Sequence, residues 1–203
     1  LTIAAGLLAA ITIFPFLSRF HFLPLPQWWG EITVVVLSSV AMLCLPQQRI
    51  SWPRSSQWLL WLALVWAVQP WFVPLYFPGL NQATALAFVA LSVLALAVSR
   101  WRLAVGSEAV VSVLAKALLV GTLLQSLFGL AQVSGLAEAM GGVLFYDSSH
   151  PTTNVFGHIG QRNQYAHYLT WGVIAGVWLL ASGQIARRWG WAICRRKPRS
   201  FAG

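Results

Sequence analysis

Charged residues are scarce in this chain. They make up 8% of its 203 residues, whereas 58% of the residues are hydrophobic. Soluble domains carry about 25% charged residues. This deficit excludes an ordinary soluble domain and predicts an all-α, polytopic integral membrane protein.

Acidic residues and cysteines are scarcer still. The chain has 4 Asp and Glu residues in total and 2 cysteines, Cys44 and Cys194. Two isolated cysteines exclude a disulfide scaffold and a zinc site built on spaced cysteine pairs. No carboxylate has ligand spacing with His158 and His167, which stand nine positions apart. We therefore expect neither a metal nor another cofactor.

Six apolar stretches are candidates for membrane spans, since a spanning helix needs about 20 mostly apolar residues. Pro70 and Pro74 break the third stretch, which is tolerable where neighbouring helices supply the lost hydrogen bonds. We predict a transmembrane bundle over residues 1–183. Its spans are 1–17, 28–45, 58–77, 80–98, 109–133 and 163–183, with a loop at 134–162 and a basic tail at 184–203.

The basic residues are distributed unevenly between the two sides of these spans. The second and fourth loops carry two arginines each, and the tail carries six basic residues. The first and fifth loops on the opposite side carry one arginine each, and the third carries none. Because basic residues concentrate in the cytoplasm, both ends of the chain are predicted to be cytoplasmic. The 134–162 loop then faces the periplasm of a double-membraned bacterium, and the protein lies in the inner membrane.

Two polar features of the fifth span each allow two interpretations. Lys116 either snorkels to the inner interface or is a buried functional charge. Thr122, Gln125, Gly129 and Gln132 form one helical stripe, because they are spaced three, four and three residues apart. The stripe either packs closely against another helix or lines a cavity beneath the polar stretch that follows.

That polar stretch is FGHIGQRNQYAHYLTW, residues 156–171, and the chain is organised around it. Gly157 and Gly160 permit backbone shapes that other residues resist. Asn163 stands where an N-cap would begin the sixth helix. The start of a helix attracts anions, phosphate above all, and Arg162 adds a planar cation suited to phosphate oxygens.

The remaining polar side chains of this stretch add neutral hydrogen-bonding groups. Asn163, Ala166, His167 and Thr170 share one helix face by their spacing. The cluster is either a plain interfacial helix cap or a substrate site, and its outward position beside a Gly-bounded turn favours the site. The candidate substrate-binding residues are Gly157, Gly160, Gln161, Arg162, Asn163 and His167.

A second grouping, Asp147, Ser148 and His150, contains the residue types of a serine-hydrolase triad. These residues are close neighbours in a loop, whereas a triad is assembled by the fold. We interpret Asp147 and His150 as turn and surface residues beside Pro151.

The stretch GHIGQRNQYAHYLTWG resembles the short signature of bacterial protein O-oligosaccharyltransferases of the PglL type. That signature has the form G-x-x-G-Q-x-N-x-x-A-x-x-L, here Gly157, Gly160, Gln161, Asn163, Ala166 and Leu169. It is similar more loosely to the G…N-x-x-A element of O-antigen ligases and polymerases. Many members have Pro at the position of Arg162. The specific match covers about 16 residues of this chain.

The resemblance implies transfer of a glycan from an undecaprenyl-diphosphate carrier to an acceptor hydroxyl in the periplasm. The acceptor is a pilin-like protein in protein O-glycosylation, or lipid A-core in O-antigen ligation. The resemblance also implies a metal-independent reaction whose key His and Arg residues lie in a large periplasmic loop further along. Because such a loop has no counterpart in residues 1–203, we expect this chain to be a fragment that is inactive alone. No catalytic residue is assigned.

Two other function classes stay open beside the glycan ligase. The candidate spans hold few ionisable residues beyond Lys116, which disfavours a transporter or channel. A non-catalytic membrane assembly partner would share the same composition.

The predicted orientation is testable by cysteine labelling. After replacement of Cys44 and Cys194, a cysteine at Ser148 should react with an impermeant thiol reagent added to intact spheroplasts. A cysteine at Ser200 should react only after the inner membrane is opened. Labelling in the opposite order would overturn the orientation and remove the periplasmic site with it.

Overall fold

The computed structural model describes residues 1–17, 28–46, 52–74, 76–141 and 143–185. Across these ranges the chain is helical and contains no strand. The helices are α1 (Thr2–Ala10), α2 (Phe14–Leu17), α3 (Trp28–Cys44), α4 (Arg54–Val68), α5 (Pro78–Val105), α6 (Ser107–Val133), α7 (Leu136–Ala139) and α8 (Arg162–Ala181), and a 3₁₀ turn (Gln69–Trp71) follows α4.

Two of these helices, α5 and α6, are long and apolar enough to cross a membrane, and α3 is apolar but shorter. Both long helices are consistent with a membrane protein. Only Gly106 separates them, at φ +88°, a left-handed conformation that glycine adopts readily. Helix α8 has 20 residues and thus a length of about 30 Å.

The helices pack as a chain of neighbours. Helix α4 lies on α5, α5 on α3, α3 on α1, α1 on α6, and α6 on α8. Their contacts are made largely by small side chains such as Ala4, Ala41 and Ala97, which are almost fully buried. Large apolar side chains such as Leu43, at 83% exposure, point outward. Small residues inside and large apolar residues outside are typical of helices that associate in lipid.

The predicted first span is interrupted by a turn over residues 11–13, because Pro15 has no N–H to donate to the carbonyl of Ile11, four residues earlier. Helix α1 ends at Ala10, and α2 begins at Phe14. The N–H of Phe16 bonds to the carbonyl of Ile13. The carbonyl of Thr12 instead accepts a hydrogen bond from the hydroxyl of Tyr168 at 2.6 Å. A side chain of α8 therefore repairs the break and fixes α8 against the N-terminal segment.

The third predicted span is also broken, as its prolines indicate. Helix α4 ends at Val68, and Pro70 lies in the 3₁₀ turn. Proline at position 70 cannot donate to the carbonyl of Trp66, four residues earlier. The side-chain amide of Asn81 on α5 donates to that carbonyl instead. This confirms that a neighbouring helix supplies the hydrogen bond that the proline removes.

A second polar contact joins the same two helices. The hydroxyl oxygens of Ser56 and Ser92 lie 2.6 Å apart, and both residues are buried. Each hydroxyl also bonds the backbone carbonyl of the other serine, at 3.1 and 3.0 Å. Since Ser56 meets Ser92 and Trp66 meets Asn81, α4 and α5 run antiparallel.

The repair by Asn81 predicts a coupling between two positions. Asn81→Leu should destabilise the protein by about 1 kcal/mol, because it leaves the carbonyl of Trp66 without a donor. In a Pro70→Ala background the new backbone N–H can serve that carbonyl, so Asn81→Leu should have a much smaller effect. Thermal unfolding in detergent of the four proteins measures the coupling. Equal effects of Asn81→Leu in both backgrounds would contradict the repair.

Candidate functional site

The polar stretch forms a tight loop before α8. Gly157 and Gly160 have φ values of +56° and +78°, so both use the left-handed conformation that glycine permits and other residues resist. A Cβ on Gly157 would lie 2.2 Å from the side-chain oxygen of Gln125 and 2.8 Å from the ring of Tyr165. Gly157 is therefore required both for its conformation and for close packing.

The Gln132 side chain of α6 binds this loop through both ends of its amide. Its Oε1 accepts hydrogen bonds from the N–H groups of Phe156 and Gly157, at 3.0 and 2.9 Å. Its Nε2 donates to the carbonyls of Gly157 and Phe145, at 2.9 and 2.8 Å. Gln132 is 1% exposed, so these four bonds replace water for a buried piece of backbone.

A second buried glutamine, Gln125, lies two turns earlier on α6. It binds the backbone of the same loop one residue further along. The Oε1 of Gln125 accepts a hydrogen bond from the N–H of His158 at 2.9 Å. Its Nε2 donates to the carbonyl of Phe16 at the end of α2. Gln125 thus joins the loop to the N-terminal segment.

The other two members of the α6 stripe, Gly129 and Thr122, form close contacts with α8. A Cβ on Gly129 would lie 2.1 Å from the hydroxyl of Tyr165, which donates to the carbonyl of Gln125 at 3.1 Å. Thr122 lies against Gly172 of α8 in the same way. The stripe therefore packs two helices together, and at its outer end the loop backbone fills the space where a cavity was the alternative.

Tyr165 and Tyr168 of α8 are packing partners of α6 that sequence reasoning missed. A Cβ on Gly121 would lie 2.1 Å from the hydroxyl of Tyr168, as one on Gly129 would from that of Tyr165. The sequence feature that could have indicated this contact is the pair of glycines eight residues apart in a long apolar helix. A glycine inside a helix often allows a neighbouring side chain to pack closely.

His158 is a structural residue of the loop. It is 5% exposed, and its ring stacks on Phe128 with the centroids 4.4 Å apart. Its Nδ1 lies 3.2 Å from the carbonyl of Leu17, and its Nε2 accepts a hydrogen bond from the N–H of Phe145 at 3.4 Å. These partners fit the neutral tautomer with the proton on Nδ1.

Helix α8 begins two residues earlier than a cap at Asn163 requires. Gln161 occupies the N-cap position in an extended conformation, and Arg162 is the first helical residue. Gly160 already turns the chain, so the helix starts directly after Gln161. The prediction that Asn163 is the N-cap is therefore wrong, and Gln161 makes no capping hydrogen bond with its side chain. The first N–H groups of α8 thus gain no side-chain cap.

The candidate residues separate into two groups. Gly157 is buried and acts through its backbone, whereas Gly160 and the polar candidates Gln161, Arg162, Asn163 and His167 are exposed. Asn163, Ala166, His167 and Thr170 are all exposed, as their common helix face predicts. The opposite face of α8 packs against α6 through Tyr165 and Tyr168. The arrangement presents a cation, two amides and an imidazole around an uncapped helix start.

The loop before the motif is held by Asp147. Its carboxylate accepts hydrogen bonds from the side-chain amide of Asn154 at 2.7 Å and from the N–H of Ser149 at 2.9 Å. Hydrogen bonding by Asn154 and then Ser149 lowers the pKa of Asp147, and the imidazole of His150 lies 3.5 Å away. The N–H of His150 also donates to the carbonyl of Asp147 at 3.1 Å, so Asp147 and His150 hold a turn, as the sequence predicted.

Two other sequence features lie elsewhere. Lys116 is exposed, and its ammonium donates to the side chain of Gln184 at 3.2 Å, so it is not a buried charge. Among the described residues no group of three His, Cys, Asp or Glu side chains could hold a metal ion. Cys194 and the tail residues after 185 lie outside the described ranges.

Comparison with known families points to the same stretch of chain. A model of the family PglL_A, described as a protein glycosylation ligase, matches residues 155–180. The matched residues begin in the loop bound by Gln132 and continue through almost all of α8. This match supports a relation to PglL-type glycosylation ligases at a coarse level. No curated protein and no solved structure matches the chain.

The hydrogen bonds of Gln132 predict that its replacement speeds amide exchange in the loop. Gln132→Leu removes the acceptor of two buried N–H groups, each of which costs about 1–3 kcal/mol when left unpaired. The amides of Phe156 and Gly157 should then exchange with solvent at least about tenfold faster. Hydrogen-exchange mass spectrometry of the loop peptide measures this.

An exposed glutamine in the same region provides the control. Gln164 lies on the first turn of α8 and is exposed, so Gln164→Leu should leave exchange in the loop unchanged. Unchanged exchange in Gln132→Leu as well would show that the loop keeps its shape without the amide.

Proposed function

We propose that this chain forms the donor-binding part of a membrane glycan ligase of the protein-glycosylation type. The start of α8 binds the diphosphate of an undecaprenyl-linked oligosaccharide, and the glycan passes to a hydroxyl of an acceptor protein. The observation that carries the proposal is the family match over 155–180, which coincides with the loop that two buried glutamines hold in place.

The charges of the site suit such a donor. When the acceptor hydroxyl attacks the sugar, the bond to the diphosphate breaks and negative charge grows on the leaving group. Arg162 and the uncapped N–H groups of α8 provide positive potential at that point. No carboxylate lies within ion-pair distance of Arg162 in the part of the chain that the structure describes. Its guanidinium is therefore available for phosphate oxygens.

The neutral candidates complete the site. Gln161 binds the diphosphate or the first sugar, and Asn163 and His167 add hydrogen-bonding groups on the adjoining face. A general base for the acceptor hydroxyl is not assigned to any of them. The resemblance implies that the reacting His and Arg residues belong to a later loop. We therefore expect residues 1–203 to bind the donor without transferring it, which an in vitro transfer assay tests.

The same proposal includes six spans with both ends in the cytoplasm. The candidate site then lies at the periplasmic face of the inner membrane, where a flipped lipid-linked glycan and a secreted acceptor meet. The protein acceptor is preferred over lipid A-core because the matching family is described as a protein glycosylation ligase. The charge distribution between the loops supports the orientation.

Arg162 provides the sharpest test of donor binding. Arg162→Ala should weaken binding of undecaprenyl-diphosphate glycan to the purified chain in nanodiscs by about tenfold, the equivalent of about 1.4 kcal/mol. Arg162→Lys should recover only part, because lysine lacks the planar fork of donors. Titration with a fluorescently labelled donor gives the Kd of each variant.

Gln164→Ala is the matched control, since Gln164 is an exposed amide on the same turn and is not a candidate. Its Kd should equal that of the wild type. Wild-type binding by every Arg162 variant would reduce the polar stretch to an interfacial helix start. A loss of binding in Gln164→Ala as large as in Arg162→Ala would assign the effect to the helix terminus as a whole.

A further inference from the structure

The outward face of α4 carries a groove that no part of the proposed function uses. One hollow of about 350 Å³ is lined by Arg54, Gln57, Trp58 and Trp61. A second hollow of about 300 Å³ is lined by Gln57, Leu60, Trp61 and Leu64. Because the two hollows share Gln57 and Trp61, they form one groove along the helix, which we term the α4 groove.

The chemistry of the α4 groove changes along its length. Arg54 provides a cation at one end, and Leu60 and Leu64 make the other end apolar. Between them stand Trp58 and Trp61, at 69% and 61% exposure. Tryptophan favours the boundary between headgroups and hydrocarbon. The groove therefore matches an amphipathic molecule with an anionic head and an apolar tail.

The position of Arg54 sharpens this match. Ser56 contacts Ser92, and Arg100 lies eight residues further along α5, so Arg54 lies about 9 Å from the level of Arg100 along the helix axis. Among the described residues no carboxylate lies within ion-pair distance of Arg54. An arginine without a carboxylate partner at a membrane interface either extends toward the headgroups or pairs with an anion there.

We propose that the α4 groove binds an anionic glycerophospholipid of the surrounding membrane. The guanidinium of Arg54 pairs with the lipid phosphate, for which its planar donors are suited. An acyl chain lies along Trp61 and Leu64. This site differs from the proposed donor site, because Arg54 lies toward the end of α5 that leads into α6, whereas α8 begins beside the far end of α6. The inference does not depend on the proposed function.

Native mass spectrometry of the full chain tests the proposal. The protein is extracted from vesicles containing equal amounts of phosphatidylglycerol and phosphatidylcholine, and the ratio of the two bound lipids is measured. Arg54→Gln should lower this ratio about fivefold relative to the wild type, the contribution expected of one basic residue beside anionic lipid. Trp61→Ala should lower the total amount of bound lipid and leave the ratio unchanged, since it alters contacts with the acyl chain alone.

Arg102→Gln is the matched control, because Arg102 is an exposed arginine in the last turn of α5 and lies outside the groove. It should keep the wild-type ratio. A wild-type ratio in Arg54→Gln would overturn the proposal. An equal loss in Arg102→Gln would also overturn it, since the preference would then follow net charge and not the groove.

Discussion

The hydrogen bonds from two buried glutamines of α6 to the backbone of residues 156–158 determine the geometry of the candidate site. A loop that is buried at the end of an apolar helix bundle has no water to satisfy its N–H and C=O groups. Gln132 and Gln125 supply donors and acceptors at successive residues of that loop. Because both side chains belong to α6, the helix against which α8 packs, the loop, α6 and α8 form one packed unit.

The same physical requirement explains the two breaks in the helices. Pro70 leaves the carbonyl of Trp66 without its usual donor. Near Pro15 the N–H of Phe16 bonds to the carbonyl of Ile13 and so does not serve the carbonyl of Thr12. In each case a side chain of another helix donates instead. Tyr168 serves Thr12, and Asn81 serves Trp66. In hydrocarbon an unpaired carbonyl is more costly than in water, so each break also fixes which helices are neighbours. The break at Pro15 is the more consequential for function, because its repair comes from the helix that carries the candidate site.

Composition and periodicity predicted an all-helical chain, and the described residues are helical without strands. The left-handed glycines at 157 and 160 and the turn at Asp147 also followed from the sequence, since they depend on local backbone preferences. The interruption of the first span was missed because it involves a long-range contact, the hydrogen bond from the hydroxyl of Tyr168 to the carbonyl of Thr12. The N-cap was placed at Asn163 because asparagine is a better cap than glutamine, whereas the turn made by Gly160 decides where the helix begins.

The roles of Gln125 and Gln132 could be predicted only in part. Their spacing placed them on one stripe with Thr122 and Gly129, but the spacing could not distinguish a packed stripe from the lining of a cavity. That distinction depends on the path of a loop 25 residues further along, which is a long-range contact. The outward face of α8 could be predicted, because Asn163, Ala166, His167 and Thr170 recur at helical spacing. The binding roles of Gln161, Arg162, Asn163 and His167 stay predictions.

We expect donor binding to depend on the ordered conformation of the loop at residues 156–158. The most direct measurement is the Kd of undecaprenyl-diphosphate glycan for Gln132→Leu in nanodiscs, taken together with amide exchange at residues 156–158 of the same sample. Gln132 itself lies beneath the loop and does not reach the proposed donor. The account predicts that fast exchange and a Kd raised at least about tenfold occur together. Fast exchange in the loop with a wild-type Kd would contradict it.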